Sequence, residues 1–178
     1  MPPILIRQKM TFAPLIFCLI FTFFGLSPGT SQGSENYHQH FSEACRLWEV
    51  PPRLALAIAK QESGMNPWAI NVAGRSFMLK TQEEALRLAN FAWEKNYSFD
   101  VGLMQINSFW LSKFNLSPAL VLEPQNNILL GVWILSQEIK RHGLTWRAVA
   151  GYHTPDPERG RRYAASVIRL MPMVELVP

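Results

Sequence analysis

Apolar positions recur at helical spacing along most of the chain. One amphipathic helix is predicted from Tyr37 to Trp48. The apolar run LALAIA, residues 54–59, predicts a second helix that is buried in the centre of the fold. Pro51 and Pro52 suit its first turn, and Ser63-Gly64 suits its end, because proline lacks the amide hydrogen that a helix interior needs and glycine tolerates the left-handed conformation of a helix stop.

The pattern then changes to period two and back again. Apolar residues alternate on both sides of Gly74-Arg75, which predicts a two-stranded hairpin with a tight turn and gives the only clear strand signal; these residues are Ile70, Val72, Phe77 and Leu79. Thr81 and Glu84 have the spacing of a capping box, so a surface helix of about fifteen residues is predicted after the hairpin.

Three further helices are predicted in the second half of the chain. The first begins near Pro124 and ends at Gly143, the second is capped by Thr145 and covers residues 146–152, and the last runs from about Glu158 to Leu170. The pattern therefore predicts a mainly α fold of the α+β class: one compact helical domain with a small β-hairpin insertion.

Residues 1–30 differ in composition from the rest. Arg7 and Lys9 precede an apolar run over residues 11–26, and small residues follow it, which is the order of a secretory signal peptide. A retained membrane anchor is the alternative, but Pro14 and an apolar core of roughly sixteen residues fall short of a comfortable span. We predict a signal peptide over residues 1–30, a domain over 31–172, a mobile tail over 173–178 and no stable membrane span after processing.

Loss of residues 1–30 changes the charge and cysteine content. It removes two of the 17 Lys and Arg residues, leaving 15 against 13 Asp and Glu, and it leaves Cys45 as the single cysteine. No internal disulfide is then possible, and Phe41 and Cys45 on one helix face predict a buried thiol. The small positive excess suits an acidic polymer or a membrane surface. With no basic stripe and no zinc spacing, we expect no nucleic-acid partner, no metal and no cofactor.

Glu62 follows the buried run directly and carries the candidate chemistry. The partial negative charge at a helix C-terminus and an apolar surround both favour the protonated carboxyl. An acid that keeps its proton near neutral pH is what glycosidic cleavage needs, because the departing sugar oxygen must be protonated. The segment alone equally allows a solvated glutamate that pairs with Lys60 or caps the following turn.

Five motifs follow one another along the chain: ESGMNPWAI at 62–70, VGLMQIN at 101–107, EPQNNILLGVWIL at 123–135, AVAGYH at 148–153 and RRYAASV at 161–167. In this order they resemble the motif series of the soluble-type lytic transglycosylases, murein-cleaving relatives of goose-type lysozyme, over about residues 40–170. The resemblance implies a lysozyme-like fold. The hairpin and the helix after it are similar to an insertion in small members that accompany conjugation, type III secretion and pilus systems.

The resemblance also implies site residues. Glu62 becomes the single catalytic acid/base, and Ser63 the neighbour that orients it or the glycan. Residues 102–106 match the floor of a glycan groove, where Gly102 is expected to let a sugar approach the backbone. The substrate-binding candidates in this segment are Met104, Gln105 and Asn107, whereas Leu103 and Ile106 are expected in the core. Asn127, Ile128 and Gly131 match a helix-packing motif without chemistry.

Two tyrosines complete the implied site. Tyr152 matches a tyrosine beside the catalytic glutamate and is expected to hydrogen-bond the carboxyl group, and Tyr163 matches a second tyrosine on the final helix. Both also fit a purely structural role. The family commonly has Asn-Ala-Gly after the first tyrosine, whereas this chain has His153-Thr154-Pro155, which puts one substrate contact in doubt. His153 is predicted to be a structural substitute.

The implied activity is that of a periplasmic peptidoglycan lytic transglycosylase. Such an enzyme cleaves the MurNAc-GlcNAc β-1,4 bond without water and forms 1,6-anhydro-MurNAc, so its partners are glycan strands and, in the small members, components of a secretion, conjugation or pilus machine. Two alternatives stay open. If Asp100 positions a water molecule, the protein is a hydrolytic muramidase, and if activity has been lost, it is a murein-binding subunit.

Overall fold

The computed structural model describes residues 37–173. The predicted signal peptide over residues 1–30, and residues 174–178 of the predicted tail, lie outside the described residues. Between residues 37 and 173, no helix is both long and apolar enough to cross a lipid bilayer.

The first two helices match the predicted ones closely. Helix α1 covers Tyr37–Trp48 and α2 covers Pro52–Ser63. Every residue of the run 54–59 is buried in α2. The helix ends because Gly64 adopts a left-handed φ of 62°, from which its amide donates to the carbonyl of Lys60.

A four-stranded antiparallel sheet stands beside the helices, in the order β2-β1-β3-β4. The strands are β1 (Ala69–Val72), β2 (Arg75–Met78), β3 (Phe99–Val101) and β4 (Ile106–Asn107). The predicted hairpin is present, but its two turn residues are Ala73 and Gly74, since Val72 pairs with Arg75. The prediction of a single hairpin was incomplete, because β3 and β4 are too short to show a period of two.

Six further helices follow the hairpin, and those after Pro124 agree with the predicted positions. They are α3 (Gln82–Glu94), α4 (Ser108–Phe114), α5 (Pro118–Leu122), α6 (Pro124–His142), α7 (Trp146–His153) and α8 (Pro157–Leu170), and a 3₁₀ turn over Met171–Met173 closes the described chain. Helices α4 and α5 were not predicted, because one or two turns carry too few residues for a reliable apolar period.

Two predicted caps differ in detail. The Thr81 hydroxyl accepts from the Glu84 amide at 3.2 Å as expected, but the Glu84 carboxylate accepts from the amide of Lys80 rather than from that of Thr81. Thr145 precedes α7, yet its hydroxyl donates to the carbonyl of His142 at 3.0 Å. That carbonyl lies at the end of α6 and lacks a helical partner, which explains why the hydroxyl turns to it.

Helix α6 forms the centre of the core and packs against α1 and α7, while α8 packs against both α7 and α2. The face of α1 that carries Phe41 and Cys45 is buried as predicted, and burial raises the pKa of the Cys45 thiol to about 12. The contact of α2 with α8 brings residues about 100 positions apart together beside Glu62.

Asn127 on α6 fixes the loop between β3 and β4. Its side chain is fully buried; it accepts from the Met104 amide at 2.8 Å and donates to the carbonyls of Val101 and Val121 at 2.9 and 3.0 Å. Gly102 has a φ of +80°, and a Cβ there would lie 2.6 Å from the Asn127 Cγ. Gly102 is therefore needed for the approach of Asn127, not of a sugar as predicted.

We predict that Asn127→Ala lowers the free energy of unfolding by about 3 kcal/mol, because it leaves buried backbone groups of three segments without partners. Urea unfolding followed by circular dichroism measures this loss. Asn126→Ala is the matched control: Asn126 is half-buried and makes one bond, to the Leu120 carbonyl, so a loss of about 1 kcal/mol or less is expected. Equal losses for the two variants would contradict the role of Asn127.

Candidate active site

Glu62 lies in the last turn of α2 at the wall of a groove of about 820 Å³. Its side chain is 14% exposed, so it reaches the groove while most of its surface is covered. The groove is also lined by residues of the sheet, of the loop between β3 and β4, and of four helices; they include Asn71, Ser76, Asp100, Gln105, Asn107, Trp110, Ile134, Glu138, Tyr152, His153, Arg159 and Tyr163.

Burial raises the pKa of the Glu62 carboxyl to about 7. The low-dielectric surround disfavours the charged form, the hydroxyl of Tyr163 opposes this effect by donating to the carboxylate, and the nearby charge of Asp100 adds to the rise. A substantial fraction of Glu62 is therefore protonated near neutral pH. The alternative of a solvated glutamate paired with Lys60 does not fit this burial.

Tyr163, rather than Tyr152, makes the hydrogen bond to the carboxyl group. The Tyr163 hydroxyl lies 2.6 Å from Glu62 Oε1, whereas the Tyr152 hydroxyl donates to the carbonyl of Met104 at 2.8 Å. The predicted bond from Tyr152 to Glu62 is therefore wrong. The reason is geometric: α8 packs directly against α2, and the Tyr152 phenol points to the loop after β3 instead.

Two predicted substrate contacts are buried and cannot touch a glycan in this structure. Ser63 is 2% exposed, and its hydroxyl lies within hydrogen-bond distance of the carbonyls of Ala59 and Leu103, at 3.1 and 2.8 Å. Met104 is fully buried, and its side chain packs against Gly131, where an added Cβ would lie 2.6 Å from the Met104 Cβ. Both residues serve the packing of the groove floor.

Gln105 and Asn107 do line the groove. The Gln105 amide donates to the carbonyls of Ala69 and Gly102 at 3.0 and 2.9 Å, which ties the floor to β1. Asn107 donates to Asp100 Oδ1 at 2.7 Å and accepts from the amide of Phe109 as the N-cap of α4. Burial raises the pKa of Asp100, and the bond from Asn107 opposes that rise.

His153 lies beside the acid and against Tyr163. The two rings stack with their centres 4.3 Å apart and their planes 4° from parallel, and His153 Nδ1 is 3.9 Å from Glu62 Oε1. This distance is too long for a hydrogen bond. Burial, followed by the charge of Arg159, lowers the pKa of His153, so the ring is predominantly neutral near pH 7. In this structure His153 therefore contacts Tyr163 by stacking, and its structural role stays a prediction.

Several groove residues were not predicted from the sequence, among them Glu138, Trp110 and Arg159. Glu138 is a further carboxylate of the groove, paired with Arg141 at 2.7 Å, and its position one turn after Ile134 on α6 could have indicated a shared face. Trp110 lies on α4, which was not predicted. Arg159 gave no signal, because arginines at the start of α8 read as solvated surface. Within residues 37–173, no three His, Cys, Asp or Glu side chains are arranged to bind a metal ion.

Comparisons with known proteins identify the family of the chain. Residues 39–164 match the family model described as the transglycosylase SLT domain. The chain is 32% identical to the invasion protein IagB of Salmonella typhi over 133 residues, which cover 70% of each protein.

Shorter or weaker matches connect the chain to two other relatives. It is 32% identical over 94 residues to the type IV secretion system protein virB1 of Brucella abortus, covering 52% of this chain and 40% of that protein. It is 29% identical over 143 residues to protein virB1 of Agrobacterium fabrum, covering 75% of this chain and 58% of that protein. The chain therefore belongs to the transglycosylase SLT domain family and is a peptidoglycan lytic transglycosylase.

Proposed function

We propose that the protein cleaves the MurNAc-GlcNAc β-1,4 bond without water and releases 1,6-anhydro-MurNAc, with Glu62 as the single catalytic acid and base. The observation that carries this proposal is the position of the Glu62 carboxyl, mostly buried at the wall of the groove and bonded by the hydroxyl of Tyr163 at 2.6 Å, where burial raises its pKa to about 7. One group that is neither fully protonated nor fully ionised near pH 7 can give a proton in one step and take one in the next.

In the first step, Glu62 donates its proton to the glycosidic oxygen as the C1–O bond breaks. Tyr163 donates to Oε1, so the carboxyl proton is best carried by Oε2. The acetamido oxygen of the same MurNAc attacks C1 from within the substrate, and the GlcNAc hydroxyl leaves with the proton that Glu62 supplied. His153, stacked on Tyr163, keeps the phenol in place during this transfer.

In the second step, the ionised Glu62 accepts the proton of the C6 hydroxyl. The C6 oxygen then attacks C1, the bond from the acetamido oxygen breaks, and the 1,6-anhydro ring closes. The enzyme returns to its protonated state, and no water is consumed. The hydrogen bond that Tyr163 donates to Oε1 stabilises the transient carboxylate. This explains why Glu62 has a hydrogen-bond donor beside it although it must also act as an acid.

Hydrolysis is the second candidate, because Asp100 lines the same groove and its charge acts on Glu62. Asp100 accepts one hydrogen bond, from Asn107 at 2.7 Å, and must be ionised for its charge to act on Glu62. The match to the transglycosylase SLT domain family favours the lytic route over hydrolysis. We therefore assign to Asp100 the support of the protonated state of Glu62, and not the activation of water.

We further propose that the enzyme acts in the periplasm and opens the cell wall locally for a secretion or conjugation machine. The support comes from the relatives: one is called an invasion protein, and another a type IV secretion system protein. A signal peptide over residues 1–30, as the sequence predicts, would deliver the enzyme there.

Glu62→Gln is expected to abolish release of anhydro-muropeptides from purified sacculi, because the amide of glutamine has no acidic proton to give. Mass spectrometry of the soluble products measures this, and hydrolytic products would be one water heavier. Binding of the variant to sacculi should persist. Glu83→Gln is the control, since Glu83 is an exposed partner of Arg87 on α3. Anhydro products from the purified Glu62 variant would refute the assignment.

The pH dependence of kcat/KM should show an alkaline limb near pH 7, where Glu62 loses its proton. The bond from Tyr163 lowers the pKa of Glu62, so Tyr163→Phe is expected to move this limb to higher pH and to reduce the maximal rate. Tyr37→Phe, in the first turn of α1, is the matched control and should leave the limb in place. A limb that moves to lower pH in Tyr163→Phe would contradict the proposed bond.

The raised pKa of Glu62 also has a cost in stability. The Glu62 carboxyl has a pKa of about 7 in the folded protein, against 4.5 for an ordinary glutamate. Between these pH values the folded protein keeps the proton while the unfolded chain releases it. The free energy of unfolding of the wild type therefore falls as the pH rises through this range. Above pH 7, ionisation of this carboxyl lowers the free energy of unfolding by about 3 kcal/mol. Glu62→Gln should therefore be more stable than wild type at pH 8 and not at pH 4, as measured by urea unfolding.

A further inference from the structure

A second concave surface opens next to the groove. This aromatic cleft has a volume of about 440 Å³ and is lined by Trp93, Asn96, Tyr97, Ser98, Asn107, Ser108, Phe109 and Ser112. Asn107 lines both the cleft and the groove that holds Glu62, so the two surfaces adjoin at this side chain. Within the groove, Asn107 donates to Asp100, and on the cleft side its amide lies 3.4 Å from the Ser98 hydroxyl.

The chemistry of the cleft suits a neutral, polar ligand. Its lining combines aromatic rings with amides and hydroxyls and includes no Asp, Glu, Lys or Arg. Large aromatic side chains here are unusually accessible, with Tyr97 50% and Phe109 60% exposed. A pyranose ring has an apolar C–H face that packs on an aromatic ring and equatorial hydroxyl and acetamido groups that bond to amides and hydroxyls.

The aromatic rings of the cleft are braced by neighbouring rings. Phe109 makes an edge contact with Trp110 at 5.3 Å between ring centres, and the Lys113 ammonium lies 5.5 Å from its centre. Tyr97 makes an edge contact with Phe91 at 6.3 Å. Side chains held in this way lose little conformational entropy when a ligand binds, which favours a binding role over incidental exposure.

We propose that the aromatic cleft binds sugar residues of the same glycan strand that the groove cleaves, several residues away from the scissile bond. This inference rests on the proposed function. The peptide stem of peptidoglycan is the competing occupant, but its carboxylates call for cationic partners. Two such cationic residues of α8, Arg159 and Arg162, line the groove, and neither lines the cleft.

The test measures binding of undecorated N-acetylglucosamine oligomers to the Glu62→Gln protein, so that the ligand is not cleaved. Phe109→Ala in this background should weaken binding of the hexasaccharide by about five- to tenfold, while binding of the disaccharide, which is too short to occupy the groove and the cleft together, stays within about twofold. Phe109→Tyr keeps an aromatic ring and should restore the affinity. NMR titration gives both affinities and reports that the variant is folded.

Leu144→Ala is the control, because Leu144 is 62% exposed between α6 and α7 and lines neither the cleft nor the groove. Equal hexasaccharide affinity with and without the Phe109 ring would overturn the proposal. A parallel titration uses peptide-bearing glycan strands, and a loss of affinity confined to these strands would also overturn the proposal, because the stem peptide would then be the occupant. The products of the wild-type enzyme are analysed separately. Products without an anhydro ring would refute the proposed function. Anhydro products, together with glycan binding that does not depend on the cleft, would refute only the proposed role of the cleft.

Discussion

The carboxyl group of Glu62, buried at the end of α2 beneath the hydroxyl of Tyr163, is the constraint around which the site is built. Burial disfavours its charged form, and the tyrosine bond partly restores it, so the pKa comes to about 7. Neither effect alone would give this value, because burial without the bond would hold the proton too tightly and exposure would release it. The fold therefore has to hold two distant helices in contact, and the packing of α2 against α8 does so.

The loop between β3 and β4 faces the acid from the floor of the groove, and several side chains fix its backbone. Ser63 bonds to the carbonyl of Leu103, Tyr152 to the carbonyl of Met104, and Asn127 to the amide of Met104. These bonds join α2, α6 and α7 to one short loop. Residues that share motifs with the acid thus act mainly by shaping the surface on which a glycan would lie, and a loop held by three helices leaves that surface little freedom to deform.

The sequence predicted the features that depend on local pattern. The buried run of α2, its stop at Gly64 and the long apolar face of α6 follow from spacing and helix-end chemistry, and the resemblance pointed to Glu62. What it could not predict depends on tertiary geometry. Whether Tyr152 or Tyr163 reaches the carboxyl is decided by the packing of helices distant in sequence, and the burial of Met104 is decided by its contact with Gly131. Short elements such as β4 have too few residues to show any period.

Titration of the Glu62 carboxyl shows whether this group holds its proton near neutral pH. In protein labelled with ¹³C at glutamate side-chain carboxyls, the Glu62 resonance is assigned by its loss in Glu62→Gln and followed as a function of pH. We expect a midpoint near pH 7, set by burial against the Tyr163 bond. A midpoint close to 4.5, the value of an ordinary solvated glutamate, would contradict it, because the acid would then be ionised when a departing sugar needs its proton.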